Sequence, residues 1–133
     1  MIFVFGSNLK GIHGAGAARY ALDFCHAKWG QGEGIQGESY AIPTCSEPGI
    51  PLSLDEIKKH VDRFLESARY YPTTLQYQVT RIGCGLAGYK DHQIAPMFWG
   101  APDNVWLPSA WIRATVEMAC GCLILPEWKW SVY

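Results

Sequence analysis

Two glycine-rich segments, Gly11-Ile12-His13-Gly14-Ala15-Gly16-Ala17-Ala18 and Gly83-Cys84-Gly85-Leu86-Ala87-Gly88, each follow a strand-like run and lead into a helix-like one. A strand, glycine loop and helix met twice point to an α/β fold with a largely parallel sheet covered on both faces. Glycine admits left-handed or crowded backbone and lets a ligand approach the main chain, and a helix start behind it adds partial positive charge. In parallel sheets such loops collect at the carboxyl edge, where ligands bind. Two of them together suit a diphosphate. Neither follows the usual phosphate signatures: no Gly-Lys-Ser/Thr closes either loop, and the first has no full Gly-x-Gly-x-x-Gly run.

Between these loops the chain alternates in kind. Ile2 to Phe5 is continuously apolar, as in a strand buried on both faces, and ends at Gly6. Ala17 to Cys25 favours a helix with small residues toward the sheet, stopped at Gly30. Gly30 to Gly37 carries four glycines and reads as a surface loop or hairpin, and a short strand from Ser39 to Ile42 ends at Pro43. Ser53 and Glu56 form a capping box, and Ile57, Val61, Phe64, Leu65 and Ala68 recur at helical spacing to about Tyr70. Leu75 to Ile82 alternates as a strand that delivers the second glycine loop. Asp91 is placed to cap a short helix through Ile94, Met97 and Phe98 that Pro96 tightens, and Asn104 to Leu107 is a further short strand. Ser109 to Met118 is helix-like, and Trp128 and Trp130 alternate as a strand would.

The 133 residues suffice for one core, so residues 1–133 are expected to form a single domain. A net charge of −1 excludes broad electrostatic binding to nucleic acid, and the apolar start of the chain is too short for a membrane span and lacks a basic leader, which predicts a cytoplasmic protein. The five cysteines include no Cys-x-x-Cys pair, so reduced thiols are expected, with no metal site and no bound cofactor.

The segments Asn8-Leu9-x-Gly11-x-x-Gly14-Ala15-Gly16-Ala17-Ala18 and Arg81-Ile82-Gly83-Cys84-Gly85-Leu86-Ala87-Gly88, in that order and setting, resemble those of macrodomains. The second is similar to the Ile-Gly-Cys-Gly-Leu branch, which includes hydrolases of terminal ADP-ribose on acidic side chains. The resemblance spans roughly residues 1–107 and leaves 108–133 as a weakly matched extension. It implies a three-layer α/β/α sandwich whose ligand is ADP-ribose or an ADP-ribosylated substrate. By the same resemblance, Asn8 lies near the distal ribose, and Gly14 and Gly16, with Gly11, Ala15 and Ala17 of the same loop, allow close approach. Gly83, Cys84, Gly85, Leu86, Ala87 and Gly88 would clamp the diphosphate. Hydrolysis of an ADP-ribosyl linkage is then the expected activity, with Asn8 orienting the ribose and His13 or Asp91 assisting proton transfer. The chain departs from the branch where its mechanism resides: Ala87 stands where those hydrolases carry an aspartate, and Pro43-Thr44-Cys45 where their lysine falls. A non-catalytic reader or sequestering module is therefore the alternative.

Each candidate also has a plainer role. His13 is a solvated loop histidine if it touches no phosphate, and Asp91 is a helix cap if it moves no proton. Cys84, among amide donors and near a helix start, has the setting of a lowered thiol pKa and hence of a nucleophile in a hydrolase unrelated to nucleotides, although the resemblance makes it a packing residue. Glu33 and Glu38 are free acids in a polar loop, or simply a solvated face.

Overall fold

The computed structural model describes residues 1–70 and 74–111. Its elements run β1 (Ile2–Asn8), α1 (Gly16–Phe24), β2 (Gly34–Gln36), β3 (Ser39–Glu47), β4 (Ile50–Pro51), α2 (Leu54–Tyr70), β5 (Tyr77–Val79), α3 (Asp91–Ile94) with a 3₁₀ turn over Ala95–Phe98, and β6 (Val105–Trp106). The protein is a mixed α/β domain, and its described residues form a six-stranded, mostly parallel sheet ordered β2-β3-β1-β5-β6, β4 pairing with β3. Strand β1 is parallel to β3 and to β5, β5 is parallel to β6, and β2 and β4 are antiparallel to β3.

Strand alternation sends side chains of β1 and β3 to opposite faces. Phe5 and Ala41 pack with Ala18 and Ala21 of α1. Val4, Tyr40 and Ile42 pack with Ile57, Val61, Phe64 and Leu65 of α2. The connection from β1 to β3 and the one from β3 back across β1 to β5 run in opposite directions, so right-handed crossovers put their helices on opposite faces. Phe64 is the hub of the larger core, with ring centroids 4.9 Å from Tyr40, 5.3 Å from Tyr77 and 6.3 Å from Phe98. The expected capping box starts α2: Glu56 N donates to Ser53 Oγ at 3.2 Å and Ser53 N to Glu56 Oε1 at 3.4 Å, an arrangement worth about 1 kcal/mol. Among the described residues no helix is long and apolar enough to cross a membrane.

Several boundaries differ from those read in the sequence. Strand β1 continues past Gly6 to Asn8, and β3 past Pro43 to Glu47, because each is the other's parallel partner through Gly6↔Ile42, Ser7↔Pro43 and Asn8↔Cys45. Pro43 is tolerated because it lies between Ala41, the last residue paired to β2, and Cys45, the first paired to β4, so its missing N–H deprives no neighbour. A bulge at Thr44 follows. Helix α1 stops at Phe24 rather than Gly30: His26 takes a left-handed φ of 57° and Ala27 N returns to the Ala21 carbonyl at 3.1 Å. The glycine that permits this turn is Gly37, whose Cβ would stand 2.4 Å from that of His26. Residues 34–36 form the strand of a hairpin with β3. Strand β5 is shorter than expected, because Thr80 N and Oγ1 both donate to the Val4 carbonyl and Ile82 N then folds back onto the Thr80 carbonyl at 2.7 Å. Pro96 does tighten the chain, which passes from α into 3₁₀ geometry after Ile94. The helix expected from Ser109 to Met118 and the alternation of Trp128 and Trp130 lie largely or wholly outside the described residues.

Candidate functional site

The chain leaves β1 toward β3 and leaves β5 toward β6, in opposite directions along the sheet. Their carboxyl ends therefore part at a topological switch point, where loops diverge and leave a crevice. A cavity of about 430 Å³ lies there, a size typical of small-molecule sites. Its walls are the end of β1 (Gly6, Ser7, Asn8), the first glycine loop and start of α1 (Ile12, Gly14 to Ala18), Thr44, Cys45 and Pro48 of the β3–β4 hairpin, and the second glycine loop. The stretch after β5 contributes Thr80, Arg81 and Ile82, and the second loop Gly83 and Gly85 to Ala87.

The first loop is braced from within. Asn8 Nδ2 donates to the Ile12 carbonyl at 2.9 Å, Ile12 N donates to Asn8 Oδ1 at 3.0 Å, and Gly11 N donates to the Asn8 carbonyl at 3.0 Å. Outside this brace the chain at 30–32 lies directly on the loop: Gly30 N donates to the Gly11 carbonyl at 2.8 Å, and Ser7 Oγ to the Gly32 carbonyl. Beyond Gly14 support gives way to openness. Helix α1 starts behind Ala15 with no side-chain cap, and the first-turn N–H groups of Gly16, Ala17 and Ala18, residues that line the cavity, have no acceptor among the described residues. In the second loop Gly88 N bonds the Gly85 carbonyl at 3.0 Å and Tyr89 N the Gly83 carbonyl at 2.9 Å. The amides of Gly85, Leu86 and Ala87, which line the cavity, have no hydrogen-bond acceptor among the described residues.

The glycines divide by what demands them. Gly11 and Gly83 have φ of +69° and +75° and are hemmed in by the protein itself. Gly14 and Gly85 have ordinary φ, and a Cβ at either would meet nothing within 4 Å. Neither conformation nor packing requires glycine at these two cavity-lining positions, one in each loop.

The three residues expected to act in chemistry do not present free groups to the cleft. Asn8 lines it, but both ends of its carboxamide are engaged by Ile12, so it is a loop brace. Replacing Asn8 by alanine is accordingly expected to cost about 1–3 kcal/mol of stability by leaving the part-buried Ile12 groups unpaired, measurable as a lowered urea midpoint. His13 is neither a solvated loop residue nor a cleft residue. It is fully buried, its ring 5.2 Å from that of Phe5 at 85°. Its Nε2 faces the Gln31 carbonyl at 3.0 Å and Gln36 Oε1 at 3.2 Å, both acceptors, which makes Nε2 the protonated nitrogen. Asp91 sits at the first residue of α3, where it is not the cap, and its carboxylate is taken up by Arg81, Cys84 and Trp111. These partners, Arg81 foremost, hold it below the usual aspartate range despite partial burial.

Cys84 also differs from its expected setting. It is half-buried, its Sγ donates to Asp91 Oδ1 at 3.3 Å, and burial first, then the Asp91 contact and charge, push its thiol up to about 12. It is thus a protonated packing thiol. Glu33 is not free either: it bonds His60 Nδ1 at 2.6 Å and Arg63 Nη1 at 3.0 Å, joining the β2 hairpin to α2, while Glu38 is paired with His26.

Of the residues expected to contact ligand, Gly14, Ala15, Gly16, Ala17, Gly83, Gly85, Leu86 and Ala87 line the cavity, and Gly11, Cys84 and Gly88 do not. Thr44 and Cys45, which stand where the resemblance puts the hydrolases' lysine, line the cavity, and so does Thr80, which no sequence signal singles out. Among the described lining residues, Arg81, directly before the second loop, is the one whose side chain is charged at neutral pH. Comparison of the chain with protein-family models, with curated proteins and with solved structures returned no match.

Proposed function

We propose that this protein is a macrodomain-like α/β/α module that holds ADP-ribose, or a closely related NAD-derived nucleotide, with its diphosphate between the two glycine loops. The observation that carries this reading is the pair Gly14 and Gly85: ordinary in φ, free of neighbours, and lining one cavity from two loops. A ligand pressed against the main chain supplies the missing reason for glycine. The uncapped start of α1 and the unpaired amides of Gly85, Leu86 and Ala87 provide donors from two directions to a dianion. No carboxylate among the described lining residues opposes it.

The same geometry favours holding over hydrolysis. General acid–base catalysis needs a group within hydrogen-bonding reach of the reacting atoms, and the described lining contains no carboxylate, imidazole or amine side chain, only the thiol of the buried Cys45. A reader or sequestering role is therefore the form of the proposal that the site supports best.

Calorimetric titration with ADP-ribose, AMP and adenosine tests the reading. Saturable ADP-ribose binding should raise the thermal midpoint, by about 2.7 kcal/mol of stabilisation at one hundred times Kd, and adenosine should do much less. No shift at millimolar ADP-ribose overturns the proposal. Release of ADP-ribose from a modified protein or from O-acetyl-ADP-ribose by the folded protein would replace the reader with a hydrolase.

A further inference from the structure

Asp91 does not line the cleft, yet four hydrogen bonds from around the second glycine loop converge on its carboxylate. Its Oδ1 accepts from Arg81 Nε at 2.9 Å, from Cys84 Sγ at 3.3 Å and from Trp111 Nε1 at 2.9 Å, and its Oδ2 accepts from Arg81 Nη2 at 2.7 Å. These donors come from three places: the end of the β5 segment, the second glycine loop, and the chain beyond β6. Trp111 is fully buried, so its end of the network is fixed by the core. The far side of the loop is fixed separately, by Tyr89 OH donating to the Leu52 carbonyl at 2.5 Å. Between these anchors the stretch Gly85 to Gly88 is open, with nothing within 4 Å of a Cβ at either glycine.

Resting on the cleft reading above, we infer that Asp91 is a positioning residue: it holds the second glycine loop in the shape that aims the Gly85, Leu86 and Ala87 amides at the anion. The physical reason is entropic. An open loop with unused donors gains little from its own contacts, so its shape must be imposed at its ends. One carboxylate accepting four hydrogen bonds does this at the end nearest β5, and buried Trp111 and bidentate Arg81 in turn fix the carboxylate.

The test compares Asp91→Ala, which abandons all four donors, with Asp91→Asn, which keeps an oxygen acceptor but not the charge. Asp62→Asn is the control, since it removes an exposed ion pair with Lys58 on α2. Amide hydrogen exchange in the ligand-free protein is the first readout. Gly88 and Tyr89 should exchange at least about tenfold faster in Asp91→Ala while buried α2 amides such as that of Phe64 are unchanged, with Asp91→Asn between and Asp62→Asn like wild type. A general loss of stability would instead speed α2 exchange as well. The second readout is ADP-ribose affinity, expected to fall about tenfold in Asp91→Ala and less in Asp91→Asn. Wild-type exchange at Gly88 and Tyr89 in Asp91→Ala overturns the positioning role whatever the ligand does, and so does faster exchange with undiminished affinity. Failure of the wild type to bind ADP-ribose overturns the cleft reading and with it the assigned purpose of the loop, while the exchange result still decides whether Asp91 holds the loop's shape.

Discussion

Gly85→Val is expected to weaken ADP-ribose binding by more than about tenfold, a loss of at least ~1.4 kcal/mol, while the protein stays folded. Gly85 is exposed, its φ is not left-handed, and an added Cβ meets nothing within 4 Å, so the folded protein alone tolerates a side chain there. In the proposed complex a phosphate oxygen comes within about 3 Å of the Gly85, Leu86 and Ala87 amides, which have no acceptor among the described residues, and an isopropyl group at Gly85 would compete with it for the open space on that side of the loop. The thermal midpoint without ligand should therefore stay close to that of the wild type while the calorimetric affinity drops. Unchanged affinity in a folded Gly85→Val protein would reduce this loop to a turn. Gly14→Val makes the same comparison from the other loop.

Gly11→Ala should do the opposite, destabilising the fold by about 3 kcal/mol or more, as the sum of a left-handed alanine and a steric overlap. A Cβ at Gly11 would stand 2.3 Å from the Gly30 carbonyl carbon and 2.4 Å from Gln31 N, both main-chain atoms that cannot rotate away. The same seam is closed from its other side by Gly32, whose Cβ would stand 2.3 Å from the Asn8 carbonyl oxygen. Urea denaturation of Gly11→Ala beside Gly14→Ala makes the contrast sharp. Gly14, three residues away, should change stability by less than about 1 kcal/mol. A Gly11→Ala protein as stable as the wild type would mean that the 8–11 and 30–32 segments are not packed as described.

The sequence by itself determined which segments alternate and which two loops come together at the cavity. The capping box at Ser53 and the apolar spacing of Ile57, Val61, Phe64 and Leu65 are local signals, and they specify α2 because a helix is built from contacts three and four residues apart. The glycine loops were equally legible: their strand-to-helix setting places them at a carboxyl edge, and the tertiary structure brings both to one cavity. Strand limits were not legible. Gly6 and Pro43 are breakers in isolation, and only the parallel pairing of β1 with β3, together with the gap between β2 and β4, allows both strands to run on and carry Asn8, Thr44 and Cys45 into the cleft. Nor could residue type reveal the state of the polar groups. His13, Cys84 and Asp91 each carry chemistry that catalysis uses, yet one is buried under Phe5, one is held protonated, and one is spent on four hydrogen bonds. Their partners lie from 7 to 23 residues away in the chain, beyond the range of any local pattern. Whether a side chain is free or committed is set by neighbours that only the folded chain supplies, and the same physical difference separates Gly14 and Gly85, which face open space, from Gly11, which is pressed against its own backbone.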